Sequence, residues 1–131
     1  MRQIPARATG HYSLTIEAEH LANSANPALP KVLATPMMIL MMEQSAMDAL
    51  VRFMEPDETS VGAAIDVEHL AATPVGHIVR ADATITKVDG RRIQFEVRAF
   101  DEQEQIGRGV HWRVVVSMTK FNERLKSKVK N

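Results

Sequence analysis

Ala34-Thr35-Pro36-Met37-Met38-Ile39-Leu40-Met41-Met42-Glu43-Gln44-Ser45-Ala46-Met47-Asp48-Ala49-Leu50 decides how this chain folds. The stretch predicts one helix running from about Pro36 to Met54, apolar on nearly every side. Thr35 is placed to cap its N-terminus through the hydroxyl. Pro36 suits the first helical position, where a missing N–H costs nothing. Glu55-Pro56-Asp57 ends it, because a residue before proline is pushed out of the helical region. A helix that is greasy all round must be buried on several faces. Glu43, in its middle, therefore sits where a charge is expensive unless a partner or a task explains it.

Working outward, the flanking segments read as strands. Tyr12, Leu14, Ile16 and Ala18 alternate with His11, Ser13, Thr15 and Glu17, giving a first strand between Gly10 and Ala18. Residues 19–34, with Asn23, Ser24, Asn26, Pro27 and Pro30, read as a long lid-like connection ahead of the helix. Ser60–Leu70 is a second strand. Parity puts Val61, Ala63, Ile65, Val67 and His69 on the row facing the helix, and Ser60, Gly62, Ala64, Asp66 and Glu68 on the other. Ile78–Val88 and Arg91–Phe100 alternate about Asp89-Gly90, a strong hairpin signal. In Ile106–Met118 the apolar row is Val110, Trp112, Val114, Val116 and Met118. Gly107, Gly109, His111, Arg113 and Ser117 fall on the polar row. The basic tail, 119–131, has Phe121 and Leu125 spaced for a short helix.

Strand, loop, helix and four strands joined mainly by short turns describe an α+β domain in which a curved antiparallel sheet wraps one helix. With 131 residues this is one domain, 1–131. One helix cannot cover both faces of five strands, so a homodimer with sheets continued edge to edge is expected. Sixteen basic and sixteen acidic residues cancel, which gives no reason to expect nucleic acid or an anionic membrane as partner. There is no cysteine, hence no disulfide framework and no thiolate site. The start lacks a signal-like apolar run, so the expected location is cytoplasmic. No metal-ligand spacing, phosphate-binding glycine loop or G-x-S-x-G elbow occurs.

Thr35, Ile39 and Glu43 lie near one helix stripe, and side chains lean toward the helix N-terminus. A hydroxyl, a carboxylate and oriented amides are thereby expected to share one region, with His69 joining in the same subunit or across a dimer. Such a set suffices for acyl transfer. Glu43 supplies a nucleophile or a base toward water, amides stabilise the oxyanion, and His69 relays a proton. Taken singly, the residues also have plainer readings: Thr35 as a helix cap, His69 as a core histidine, Glu43 as half of a buried ion pair.

Several motifs in combination resemble a known family. They are Val32-Leu33-Ala34-Thr35-Pro36-Met37-Met38 with Met42-Glu43, Ser60-Val61-Gly62-Ala63-Ala64-Ile65, and His69-Leu70-Ala71-Ala72-Thr73-Pro74-Val75-Gly76. Gly90-Arg91-Arg92, Ile106-Gly107-Arg108-Gly109-Val110-His111 with Arg113, and Lys120-Phe121-Asn122 belong to the same set. Together they resemble the fluoroacetyl-CoA thioesterase family of the hot-dog fold. The resemblance implies a hydrolase acting on an acyl-CoA thioester, with no cofactor other than coenzyme A as part of the substrate and no metal. It implies a catalytic set of Thr35, Glu43 and His69, with Gly62 near the substrate carbonyl and Arg113 near the coenzyme A end. The family's fluoroacetyl-specific member has two phenylalanines in the lid. The aligned positions here are Asn26 and Leu29, which points to another small acyl group. A non-catalytic acyl-CoA-binding module and an enoyl-thioester hydratase are the alternatives, and neither needs the full Thr35/Glu43/His69 set.

Overall fold

A computed structural model describes residues 1–130. The elements are β1 (Thr9–Thr15), a 3-10 turn (Ala18–His20), α1 (Ala22–Ala25), α2 (Thr35–Leu50) and a second 3-10 turn (Val51–Phe53). These are followed by β2 (Glu58–His69), β3 (Ile78–Asp89), β4 (Arg92–Phe100), β5 (Gln105–Ser117) and α3 (Met118–Lys126). All strands pair antiparallel in one sheet of order β1-β3-β4-β5-β2. β1 and β2 are thus opposite edges, and α2 carries the chain from one to the other across the inner face of the sheet. This is the sheet-around-a-helix arrangement that the alternation pattern implied.

α2 buries Met38, Met41, Met42, Ala46, Ala49 and Leu50 completely. Its four large members contribute roughly 6–12 kcal/mol of burial, at about 1.5–3 kcal/mol per side chain. They meet the inward rows of β3 (Val79, Ala81, Ala83, Ile85) and β4 (Ile93, Phe95, Val97, Ala99), as strand parity predicted. At the β1 edge the approach is backbone to backbone. A methyl on Gly10 would lie 2.2 Å from the Ala49 amide nitrogen and 2.3 Å from the Ser45 carbonyl, so only glycine fits there.

Three expectations are corrected. Thr35 is not the cap. Ala34 occupies the N-cap position, Thr35 is the first helical residue, and no side chain caps the helix. The α-helix stops at Leu50, and the remaining turn to Phe53 is 3-10. The inner rows of β2 and β5 also differ from simple alternation. β5 turns Gly107, His111, Arg113 and Val115 inward and leaves Val110, Trp112, Val114 and Val116 half-buried on the outer face. In β2 the register shifts between Gly62 and Ala64. Ser60 and Gly62 therefore face the helix, opposite Val115 and Arg113. Beyond this bulge Ile65, Val67 and His69 take the inner row, opposite His111, Gly109 and Gly107. One extra residue reverses parity, so His69 points inward as expected whereas Val61 and Ala63 do not.

The lid is stapled at its base. Leu21 and Leu33 form a bridge, Ala22 N–H donates to the Val32 carbonyl at 2.8 Å, and Ala34 N–H donates to His20 at 3.0 Å. Both leucines are buried, while residues 24–31 between them are exposed. α3 is the short helix foreseen in the tail. Its cap, Ser117, accepts from Lys120 N–H and donates to Asp57 at 2.7 Å.

Candidate active site

The first helical position of α2 holds Thr35 beside the last residue of β2. Thr35 Oγ1 and His69 Nδ1 share a hydrogen bond of 2.8 Å. Because Ala34 is the cap, this hydroxyl carries no helix-capping duty. Burial pushes the His69 pKa below its ordinary value of 6.5, opposed in part by the Ala71 carbonyl, so the imidazole is neutral at pH 7. Its Nε2 is buried with no hydrogen-bond partner among the described residues. Met37 and Met38 both donate to the Ala34 carbonyl, at 3.0 and 3.1 Å, and Pro36 has no N–H. Thr35 N–H is then the first-turn amide left free among the described residues. The pair forms one wall of an open pocket of about 550 Å³ bordered by α1, the lid and the segment after β2.

Two helical turns further on, Glu43 meets a buried basic network. Arg113 is 4% exposed, and four of its donor directions are taken. Nε donates to Ser60 Oγ at 2.8 Å and Nη2 to the Ser60 carbonyl at 3.0 Å. Nη1 donates to Glu43 Oε2 at 3.1 Å and to His111 Nε2 at 3.2 Å. His111 Nδ1–H donates to the Ala64 carbonyl at 2.8 Å, which fixes the tautomer that leaves Nε2 as acceptor. Burial lowers the His111 pKa, and the Arg113 charge lowers it further. Gly62 completes the site. A methyl there would stand 2.7 Å from Glu43 Oε2, so the missing side chain opens the carboxylate to a recess of about 240 Å³ lined by Glu43, Gly62, Ala63, Ala64, Ile65 and His111.

The fluoroacetyl-CoA-specific thioesterase family model matches residues 16–119. The chain belongs to that family. A fluoroacetyl-CoA thioesterase of Streptantibioticus cattleyicolor is 41% identical over 99 residues, which are 76% of this chain and 71% of that protein. The solved structure of the fluoroacetyl-CoA thioesterase FlK superposes with a TM-score of 0.91 at 31% identity, over 98% of this chain and 99% of that one. A thioesterase-superfamily protein of Thermus thermophilus superposes with a TM-score of 0.90 at 28% identity, over 98% and 97% of the two chains. The fold is the hot-dog fold, and the family is one of thioester hydrolases.

Within this thioesterase chain, Thr35 and His69 come together as expected, and Gly62, which parity had placed on the outer row, lies against Glu43. The two pairs do not meet in one subunit, because eight residues of helix separate Thr35 from Glu43 by about 12 Å along the axis. Arg113 departs from its expected place. It is buried against Glu43 rather than free to meet a coenzyme A end. Leu29 lines the cavity, but Asn26 does not. Asn26 Oδ1 accepts from Ala28 N–H at 3.0 Å and holds the lid turn. Sequence reasoning missed His111 and Ser60. Their signal lay in the β5 row Gly-x-Gly-x-His-x-Arg, whose glycines leave space only a neighbouring element can fill. At Gly107 that space is taken by Met38 and Met42. Among the described residues no cluster of three His, Cys, Asp or Glu side chains could hold a metal, and no helix is long and apolar enough to cross a membrane.

Proposed function

We propose that this chain is a homodimeric thioesterase hydrolysing an acyl-CoA to free acid and CoA at two sites that straddle the subunits. The observation that carries the reading is the Thr35–His69 hydrogen bond at the head of α2, made by a hydroxyl with no capping role, in a chain of a thioesterase family. The dimer supplies what one subunit lacks. α2 exposes Leu40 at 43%, with Val51 beyond its end at 59%, and β2 is an unpaired edge. A two-fold axis crossing α2 near Ile39 sets residues four before it against residues four after it. Thr35 then stands level with the partner's Glu43.

In such a site the thioester carbonyl lies between Thr35 and the partner's Glu43. The carboxylate attacks the carbonyl carbon, forming a mixed anhydride that water then cleaves to free acid and restored Glu43, or it takes a proton from a water that attacks the carbonyl directly. In both cases the water's second proton ends on the thiol. The oxyanion meets Thr35 N–H and hydroxyl, the C–S bond breaks, and neutral His69 serves the proton transfers to the departing thiolate. Arg113 holds the carboxylate aimed.

The test is thiol release from acyl-CoA substrates by wild type, Thr35→Ala, Glu43→Ala and a refolded equimolar mixture of the two variants. Each variant alone should be inactive. In the mixture half the dimers carry one intact site of two, so about a quarter of wild-type activity should return. Full activity in Glu43→Ala removes the carboxylate from the mechanism, and no recovery in the mixture removes the shared site.

A further inference from the structure

The cavity beside Thr35 and His69 is out of scale with a two-carbon acyl group. It measures about 550 Å³, whereas three heavy atoms, each taking roughly 30 Å³, fill less than about a fifth of that. Its lining has no Phe, Tyr or Trp and no charged side chain, and the one titratable group in it is the neutral His69. Ala22, Ala25 and Ala72 leave the space, while Leu29, Val32 and Leu70 form its apolar rim. Leu29 and Leu70 stand 46% and 43% exposed at that rim, so water meets two large aliphatic side chains where an apolar occupant would cover them. The pocket is continuous with the reacting pair, so an acyl group held at Thr35 and His69 has this space directly beside it. The lid cannot collapse into this space without breaking its backbone staples, Ala22 to Val32 and Ala34 to His20.

Resting on the thioesterase reading above, we propose that the acyl group this site selects is an aliphatic chain of roughly four to eight carbons, linear or branched, held between the lid and the Leu70–Ala72 segment. Leu29, Ala25 and Ala72, all exposed, set the selection at the mouth, and buried Leu33 sets the depth. A polar or halogenated two-carbon group finds neither a hydrogen-bond donor in the aliphatic wall nor enough contact to be held there.

Two measurements test this. The first is kcat/KM on acetyl-, butyryl-, hexanoyl- and octanoyl-CoA, for wild type and for Ala25→Phe, whose ring would fill the space between the lid and the Leu70–Ala72 segment. Wild type should gain about fourfold per methylene up to hexanoyl or octanoyl. Ala25→Phe should reduce the hexanoyl-to-acetyl ratio by at least about tenfold. The second is binding of S-ethyl-CoA and S-hexyl-CoA, thioethers that cannot be hydrolysed. S-hexyl-CoA should bind wild type more tightly by a similar factor per methylene, and Ala25→Phe should abolish the difference. Equal binding of the two thioethers, or a kcat/KM that falls from acetyl to hexanoyl, overturns the proposal even if the chain is a thioesterase. Tighter S-hexyl-CoA binding without turnover of any acyl-CoA upholds the cavity assignment and sinks the hydrolase reading instead.

Discussion

Gly62→Ala separates the chemistry of this site from its architecture. The added Cβ would lie 2.7 Å from Glu43 Oε2, 3.6 Å from Arg113 Nη1 and 3.7 Å from His111 Cε1, where ordinary contact begins at 3.4 Å. Only the carboxylate has to move, by at least about 0.7 Å to reach ordinary contact. It is the end of a flexible side chain that is one-third exposed, so the fold absorbs the change. Strain below about 1 kcal/mol lowers Tm by no more than roughly 4 °C in a domain of this size. The reaction is less forgiving. A displacement near 1 Å at a reacting group costs about a hundredfold, so a loss of roughly 30- to 100-fold in kcat/KM is expected, about 2–2.7 kcal/mol in the barrier. The methyl also narrows the recess that Glu43 and Gly62 line. The assay is thiol release from hexanoyl-CoA with melting curves on the same preparations. A variant with kcat/KM within threefold of wild type would refute the argument, because it would mean that the carboxylate behind Gly62 is not aimed at the reacting carbon.

Arg113→Lys should lower kcat by about 10- to 100-fold with KM nearly unchanged. A lysine cannot span Ser60, His111 and Glu43 together, and the loss falls on the aim of the carboxylate rather than on substrate binding. A rise in KM with kcat intact would return Arg113 to the coenzyme A contact that its family position implied. Stability should fall as pH drops through 6.5. His69 and His111 have pKa values held below that by burial, so between 6.5 and those lowered values the unfolded chain binds protons that the native state resists. Urea midpoints measured from pH 7.5 to 5 should show this slope, and His111→Gln should flatten it. An unchanged slope in that variant would show that His111 is not the group being titrated.

The inner rows of β1, β3 and β4 were legible because each alternates apolar with polar residues and each faces only the helix, so period two and burial coincide. β2 and β5 obeyed neither rule. On β5 the apolar row Val110, Trp112, Val114 and Val116 lies outside, and the polar row lies within. On β2 the bulge at Gly62–Ala64 reverses the parity halfway, and nothing in Val-Gly-Ala-Ala-Ile announces a bulge when strands are taken as regular. Thr35 was read one position early for the same reason. Local capping preference favours threonine over alanine, and only the tertiary bond to His69 explains why the hydroxyl is elsewhere. Three of the residues so displaced meet the site: Thr35 bonds His69, and the inward-turned Gly62 and Arg113 lie against Glu43. Packing does not account for that pattern, since an apolar row of the same volume in place of His111 and Arg113 would cost no desolvation and hold the sheet to the helix at least as well. A buried guanidinium with four of its donor directions committed, two of them to Ser60 and one each to His111 and Glu43, is retained for where it holds the carboxylate. The strands that break the alternation rule therefore mark the site independently of any resemblance.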